Sequence, residues 1–264
     1  MASTFVEGGN VHANGIRQHY LRYGGKGQPL ILVPGITSPA ITWGFVGDRL
    51  GQRFDTYVLD VRGRGLSQAG DLDYGIDACA DDIAAFAASL GLEQPVVMGH
   101  SMGARFAIRA ATRHPGKLAK LVLVDPPVSG PGRRPYPAKL DWYVDSIRLA
   151  MRGCDAEGMR AFLPKWTRAE LQLRAEWLHT CDETAVVTAF EGFQTDDIHA
   201  DLPRLDMPVL LVIAGGATVV LAEDVAEIKG LLPTVQTATV EGAGHMIPWD
   251  SFDGFFAAID PFLA

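Results

Sequence analysis

Six short runs dominated by apolar residues recur along the chain: Pro29–Val33, Asp55–Asp60, Pro95–Met98, Leu118–Val124, Val209–Ala214 and Val235–Val240. A strand wetted on one side alternates polar and apolar residues, whereas one covered on both sides has no polar face to display. The runs therefore fit strands of a largely parallel sheet sandwiched between helices. Helical segments separate them. Asp77–Leu90 carries Ile83, Phe86 and Ala87 at helical spacing and stops at Gly91, a C-terminal capping residue; Met102–Arg113, Ala222–Leu232 and Ser251–Phe262 behave similarly. Strands alternating with helices imply right-handed crossovers and an α/β fold. Ahead of them, Phe5–His12 and Ile16–Tyr23 flank Ala13-Asn14-Gly15, a hairpin signal because Asn-Gly tolerates positive φ.

The rhythm stops between Val128 and Leu205. Ser129-Gly-Pro-Gly-Arg-Arg-Pro135 opens a stretch without any buried-strand run, and helical patterns recur around Tyr143–Met151, Met159–Trp166, Leu171–Leu178 and Glu183–Phe193. A structureless connection of that length is out of keeping with a compact domain. Residues 129–204 are expected to form a helical insertion in a core made of residues 1–128 and 205–264.

The 264 residues, 48% of them hydrophobic, suffice for one substantial core. Twenty-three Lys and Arg against 31 Asp and Glu leave a net charge of -8, which disfavours a nucleic-acid partner needing a basic stripe. A small anionic ligand held by a few arginines is not excluded. Cys79, Cys154 and Cys181 are scattered and show no metal-ligand spacing, so neither a disulfide framework nor a metal site is expected. The start, Met-Ala-Ser-Thr-Phe-Val-Glu-Gly-Gly, lacks the basic and apolar regions of a signal peptide, and no window is apolar enough to span a bilayer. A cytoplasmic protein with a small-molecule substrate and no membrane partner is the expectation.

Gly99-His100-Ser101-Met102-Gly103 matches G-x-S-x-G, and its context gives the match weight. A buried strand ends just before it and a helix-forming run starts just after it, the order a nucleophile elbow requires. A serine hydroxyl needs a neighbouring base. Of seven histidines, His245 follows the last strand run in a glycine-rich loop, at the sheet edge where reactive groups gather. His100, beside the serine, reads as a packing or locally hydrogen-bonded residue. For the acid that orients the imidazole, Asp125 is the first candidate, because it ends a fully apolar strand at the reactive edge. Glu223 and Asp224 remain the alternatives, although their place in the first turn of a helix accounts for their charge.

Four segments in order then resemble the α/β-hydrolase family: Val33-Pro34-Gly35-Ile36, Asp60-Val-Arg62-Gly-Arg64-Gly65-Leu-Ser67, the Gly-His-Ser101-Met-Gly turn, and Gly244-His245-Met246-Ile247-Pro248. The resemblance implies the α/β-hydrolase fold with residues 129–204 as its helical cap, a Ser101–His245–acid triad, and an oxyanion site made by the backbone N–H groups of Ile36 and Met102. It implies no metal or organic cofactor. Asp60 and Arg62 read as a loop-bracing ion pair.

Within the family the chain is most similar to N-formylmaleamate deformylases, on Gly-Gly-Asn10-Val-His-Ala-Asn-Gly15, Val-Pro-Gly-Ile-Thr-Ser-Pro-Ala-Ile-Thr-Trp43, Val-Asp125-Pro-Pro-Val-Ser-Gly-Pro-Gly-Arg133 and Gly-His245-Met-Ile-Pro-Trp-Asp250. That likeness implies formate release from a small acidic N-formyl amide. Arg105, Arg133 and Trp142 are candidates to hold such a substrate, with Arg134, Arg148 and Arg174 as further arginines that no spacing separates. Rival readings are an esterase or lactonase, a C–C bond hydrolase of aromatic catabolism, and a ligand-binding protein on the same frame.

Overall fold

The computed structural model describes residues 2–264. Its strands are β1 (Phe5–Ala13), β2 (Ile16–Tyr23), β3 (Pro29–Val33), β4 (Asp55–Leu59), β5 (Val96–His100), β6 (Lys120–Val124), β7 (Val209–Ala214) and β8 (Gln236–Val240). They form one sheet in the order β1-β2-β4-β3-β5-β6-β7-β8. β1 and β2 pair antiparallel through an Asn14-Gly15 turn with both φ angles positive, β2 runs antiparallel to β4, and every later pair is parallel. The five adjacent strands β4, β3, β5, β6 and β7 are buried over nearly all their length, as their composition demands. β8 departs from that expectation. It is an edge strand, and only Val240 of Gln-Thr-Ala-Thr-Val is buried, because nothing pairs with its outer side.

Helices α1 (Gly44–Leu50) and α10 (Phe252–Leu263) cover one face of the sheet with Val46, Leu50, Phe255 and Ile259. Helices α2 (Ile76–Ser89), α3 (Met102–Arg113) and α8 (Ala222–Leu231) cover the other. Gly91 follows α2 at φ 64, the left-handed geometry a helix stop favours.

Between β6 and β7 the chain leaves the sheet and builds α4 (Leu140–Met151), α5 (Ala156–Arg160), α6 (Arg168–Trp177) and α7 (Glu183–Thr195). The expected helix over Met159–Trp166 is replaced by α5 and a run of turns. Asp155 caps α5 by accepting from Glu157 and Gly158 N–H, and Pro164 lacks the N–H a continuing helix would need. A capping box between Thr167 and Glu170 restarts the chain as α6. A short helix α9 (Ile247–Asp250) follows the loop after β8.

Candidate active site

Ser101 joins β5 to α3 with φ 53 and ψ -119, a left-handed geometry that strains any residue with a Cβ. Its glycine neighbours make the turn possible. A Cβ on Gly103 would lie 2.1 Å from the Val33 carbonyl oxygen, and one on Gly99 would lie 2.4 Å from the Gly103 carbonyl oxygen. The turn thus holds the serine side chain at the C-terminal end of the sheet, just ahead of the α3 N-terminus.

His245, from the loop after β8, brings Nε2 to 3.0 Å from Ser101 Oγ. On the other side of the ring, Nδ1 lies 2.7 Å from Oδ2 of Asp125. Asp125 is fully buried after β6 and adopts φ 45, a region that Asp and Asn enter more readily than most residues. Its Oδ1 accepts from the Ala214 N–H at 3.2 Å, which fixes the carboxylate plane. A carboxylate accepts from Nδ1–H, so the free Nε2 lone pair is aimed at the serine hydroxyl. Asp224, the sequence alternative, lies in the first turn of α8, where it accepts from Leu221 N–H and pairs with Arg134; neither it nor Glu223 is hydrogen-bonded to His245.

His100 is buried behind this line. Burial lowers its pKa to about 3, so its ring is neutral and donates from Nε2 to the His245 carbonyl oxygen at 3.0 Å. It therefore fixes the backbone of the residue that faces Ser101. Met102 opens α3, where the first N–H groups have no helical acceptor. Ile36 lies in the loop after β3, and Arg64 braces both: its Nε donates to the Ile36 carbonyl at 3.1 Å and its Nη2 lies 3.4 Å from Met102 Sδ.

A cavity of about 190 Å³ opens on Ser101 and His245 and is lined by Ile36 and Thr37 of the core and Trp142, Tyr143, Trp166 and Arg174 of the helical insertion. A broader hollow of about 1020 Å³ lies at the opposite, N-terminal ends of the strands, near Gln28 and Ala119, away from the reactive edge. Tyr136, which the sequence does not single out, packs edge-on to His245 at 6.4 Å, and its hydroxyl lies 3.2 Å from that of Tyr143. Burial, then the neighbouring Tyr143, push its pKa well up, so the phenol stays protonated beside Ser101.

The candidate substrate residues divide. Trp142 lines the cavity. Arg105 does not: it is buried, and four bonds of 2.8–3.0 Å bind its guanidinium to the carbonyls of Pro127, Ser129, Gly192 and Asp196. Those donors fasten the insertion to α3, which leaves the arginine no role as a carboxylate grip. Arg133 is also corrected, because it pairs with Glu227 at the surface at 2.7 Å. Asp60 and Arg62 do not pair with one another. Asp60 takes His19, at 2.7 Å, and the N–H groups of Ala40 and Leu66, while Arg62 forms a two-pronged bridge to Asp82 at 2.6 Å.

The sheet order and the strained serine turn are those of α/β hydrolases, and the chain belongs to the alpha/beta hydrolase family, whose profile matches residues 30–259. Among individual proteins it is 66% identical to the N-formylmaleamate deformylase of Pseudomonas putida, over 99% of this chain and 98% of that one. A crystal structure of the N-formylmaleamic acid deformylase from Pseudomonas putida S16 superposes with a TM-score of 0.93 at 60% identity, covering 96% of this chain and all of that one. The 2-(acetamidomethylene)succinate hydrolase of Mesorhizobium japonicum is 26% identical over 86% of this chain and 84% of its own length.

Proposed function

We propose that this chain is an amidohydrolase that cleaves N-formylmaleamate to maleamate and formate through a formyl-serine. The observation that carries the reading is the nearly end-to-end likeness to the Pseudomonas putida deformylase. The Ser101–His245–Asp125 line supports the chemistry.

Ser101 Oγ attacks the formyl carbon as its proton passes to His245 Nε2. The negative charge on the formyl oxygen is met by the N–H groups of Ile36 and Met102, a contribution of about 2.7–4 kcal/mol per donor in related sites. The C–N bond then breaks, and the proton on Nε2 goes to the departing nitrogen. That nitrogen leaves as an amide, stabilised by its remaining acyl group, and so departs more easily than a peptide amine. Water next attacks the formyl-serine, His245 takes its proton and returns it to Oγ, and formate leaves. Throughout, Asp125 holds the imidazole tautomer and stabilises the imidazolium without taking its proton. The aromatic lining from the insertion keeps bulk water from the formyl ester until maleamate has left.

We place this activity in the cytoplasm, a setting that fits three unpaired cysteines. Among the described residues no helix is long and apolar enough to cross a membrane. The test is formate release from N-formylmaleamate by the purified protein and by Ser101→Ala. The substitution should lower kcat by at least about 10⁴-fold. Hydrolysis that survives it, or esterase activity with no formate release, overturns the reading.

A further inference from the structure

Three arginines are buried at the seam between the sheet and the helical insertion without a carboxylate partner, and only one of them is left short of acceptors. Arg64 donates to the carbonyls of Ile36, Arg62 and Ala185 and contacts Met102 Sδ. Arg105 is bonded to four carbonyls. Arg174 makes two bonds, both of 3.1 Å and both to Thr37: Nη1 to the carbonyl and Nη2 to the hydroxyl. A guanidinium has five N–H donors, so most of its capacity is unspent. Among the described residues its buried Nε has no hydrogen-bond partner.

The residue is 4% exposed, and no carboxylate is among the groups that act on its charge. A desolvated cation left in this condition destabilises the fold unless an anion joins it. Arg174 lines the same cavity of about 190 Å³ as Ser101 and His245, and its guanidinium lies 5.8 Å from the ring centre of Trp142. Trp142 stands beside the planar group and Thr37 takes one N–H from each terminal nitrogen, which leaves the second N–H of each for a carboxylate.

We propose that Arg174, set by Thr37 and Trp142, is a carboxylate-binding subsite that selects acyl amides bearing one negative charge at the end remote from Ser101. The ligand's identity rests on the deformylase reading above. The Z double bond of N-formylmaleamate keeps its carboxylate close to the reacting formyl group, so one small cavity holds both ends. A neutral N-formyl amide of the same shape would leave the guanidinium unpaired in the complex, and discrimination follows from that penalty rather than from fit.

The experiment compares N-formylmaleamate with N-formylisocrotonamide, the Z isomer, which replaces the carboxylate by a methyl group. Arg174→Gln should reduce the preference in kcat/KM for the acid by roughly ten- to a hundredfold, carried mainly by KM, and Arg174→Lys should restore part of it. In an equilibrium arm, Ser101→Ala protein titrated with maleamate should lose affinity by the same span when Arg174→Gln is added. Arg174→Met should keep or raise the Tm, because it removes an unpaired buried charge. A loss shared equally by both substrates, with the preference intact and the Tm lowered, would make Arg174 a structural brace and overturn the proposal. Formate release with undiminished preference in Arg174→Gln sinks the subsite and spares the deformylase. Arginine-dependent binding of maleamate by Ser101→Ala protein, without formate release by the wild type, does the reverse.

Discussion

Asp125→Asn isolates the orienting carboxylate with little disturbance of the fold. The residue stands at φ 45, where asparagine is tolerated and alanine is strained, so the amide is the better probe. The Oδ1 bond from Ala214 N–H at 3.2 Å can be kept by the asparagine carbonyl. The side-chain NH₂ must then occupy the position of Oδ2, 2.7 Å from His245 Nδ1. Two donors cannot face each other there, so Nδ1 gives up its proton and becomes the acceptor. The proton moves to Nε2, which now presents N–H to Ser101 Oγ where a lone pair is required. The same exchange in a serine protease lowers kcat about 10⁴-fold, which at about 1.36 kcal/mol per decade is about 5.4 kcal/mol of transition-state stabilisation. Formate release at saturating substrate measures it, with denaturant unfolding to show that the fold is intact. Should Asp125→Asn keep more than about a tenth of wild-type kcat while Asp224→Ala is crippled, the acid has been assigned to the wrong loop.

Two further outcomes follow from the buried polar groups. Arg105→Met strands the four carbonyls that hold the insertion to α3 and should lower unfolding stability by about 3 kcal/mol or more, read by urea denaturation; a change within about 0.5 kcal/mol would show that water replaces the guanidinium without cost. Stability should fall as pH drops from about 6.5 toward 4, because burial lowers the pKa of His100 to about 3 and also lowers that of His199, so the unfolded chain binds protons the folded one refuses. His100 alone contributes up to about 1.4 kcal/mol per pH unit in that window, and His100→Gln should flatten the slope of the pH–stability curve.

The central strands were readable because burial on both faces is written directly into composition, and the edge strand β8 was misread because its apolar flank, Val235, precedes the ladder itself. Asp125 was readable for a related reason. A carboxylate closing the run Leu-Val-Leu-Val has no cheap environment except beside a proton donor, and the fold supplies His245. The arginines were opaque. Arg105, Arg133 and Arg174 are the same residue type at positions with no distinguishing period, and what separates them is the partner that tertiary structure brings: carbonyls for Arg105, Glu227 for Arg133, Thr37 alone for Arg174. Tyr136 carried no signal either, because its proximity to Ser101 depends on how the loop before α4 folds back over the sheet.

The same buried arginines explain why the insertion and the reactive edge behave as one unit. Arg64 starts in the loop after β4 and spans both parts, donating at once to the Ile36 carbonyl beside the oxyanion position and, at 2.9 Å, to the Ala185 carbonyl in the first turns of α7. Arg64 is bonded to carbonyls and not to a carboxylate, so the link does not depend on the titration of an acidic partner. A shift of the insertion that displaced Ala185 would therefore pull on the loop that carries Ile36. The proposed substrate contacts of Trp142 and Arg174 on the insertion and the proposed oxyanion donors of the core are thus joined through Arg64, and on that reading a loosened insertion should show itself in kcat as well as in KM.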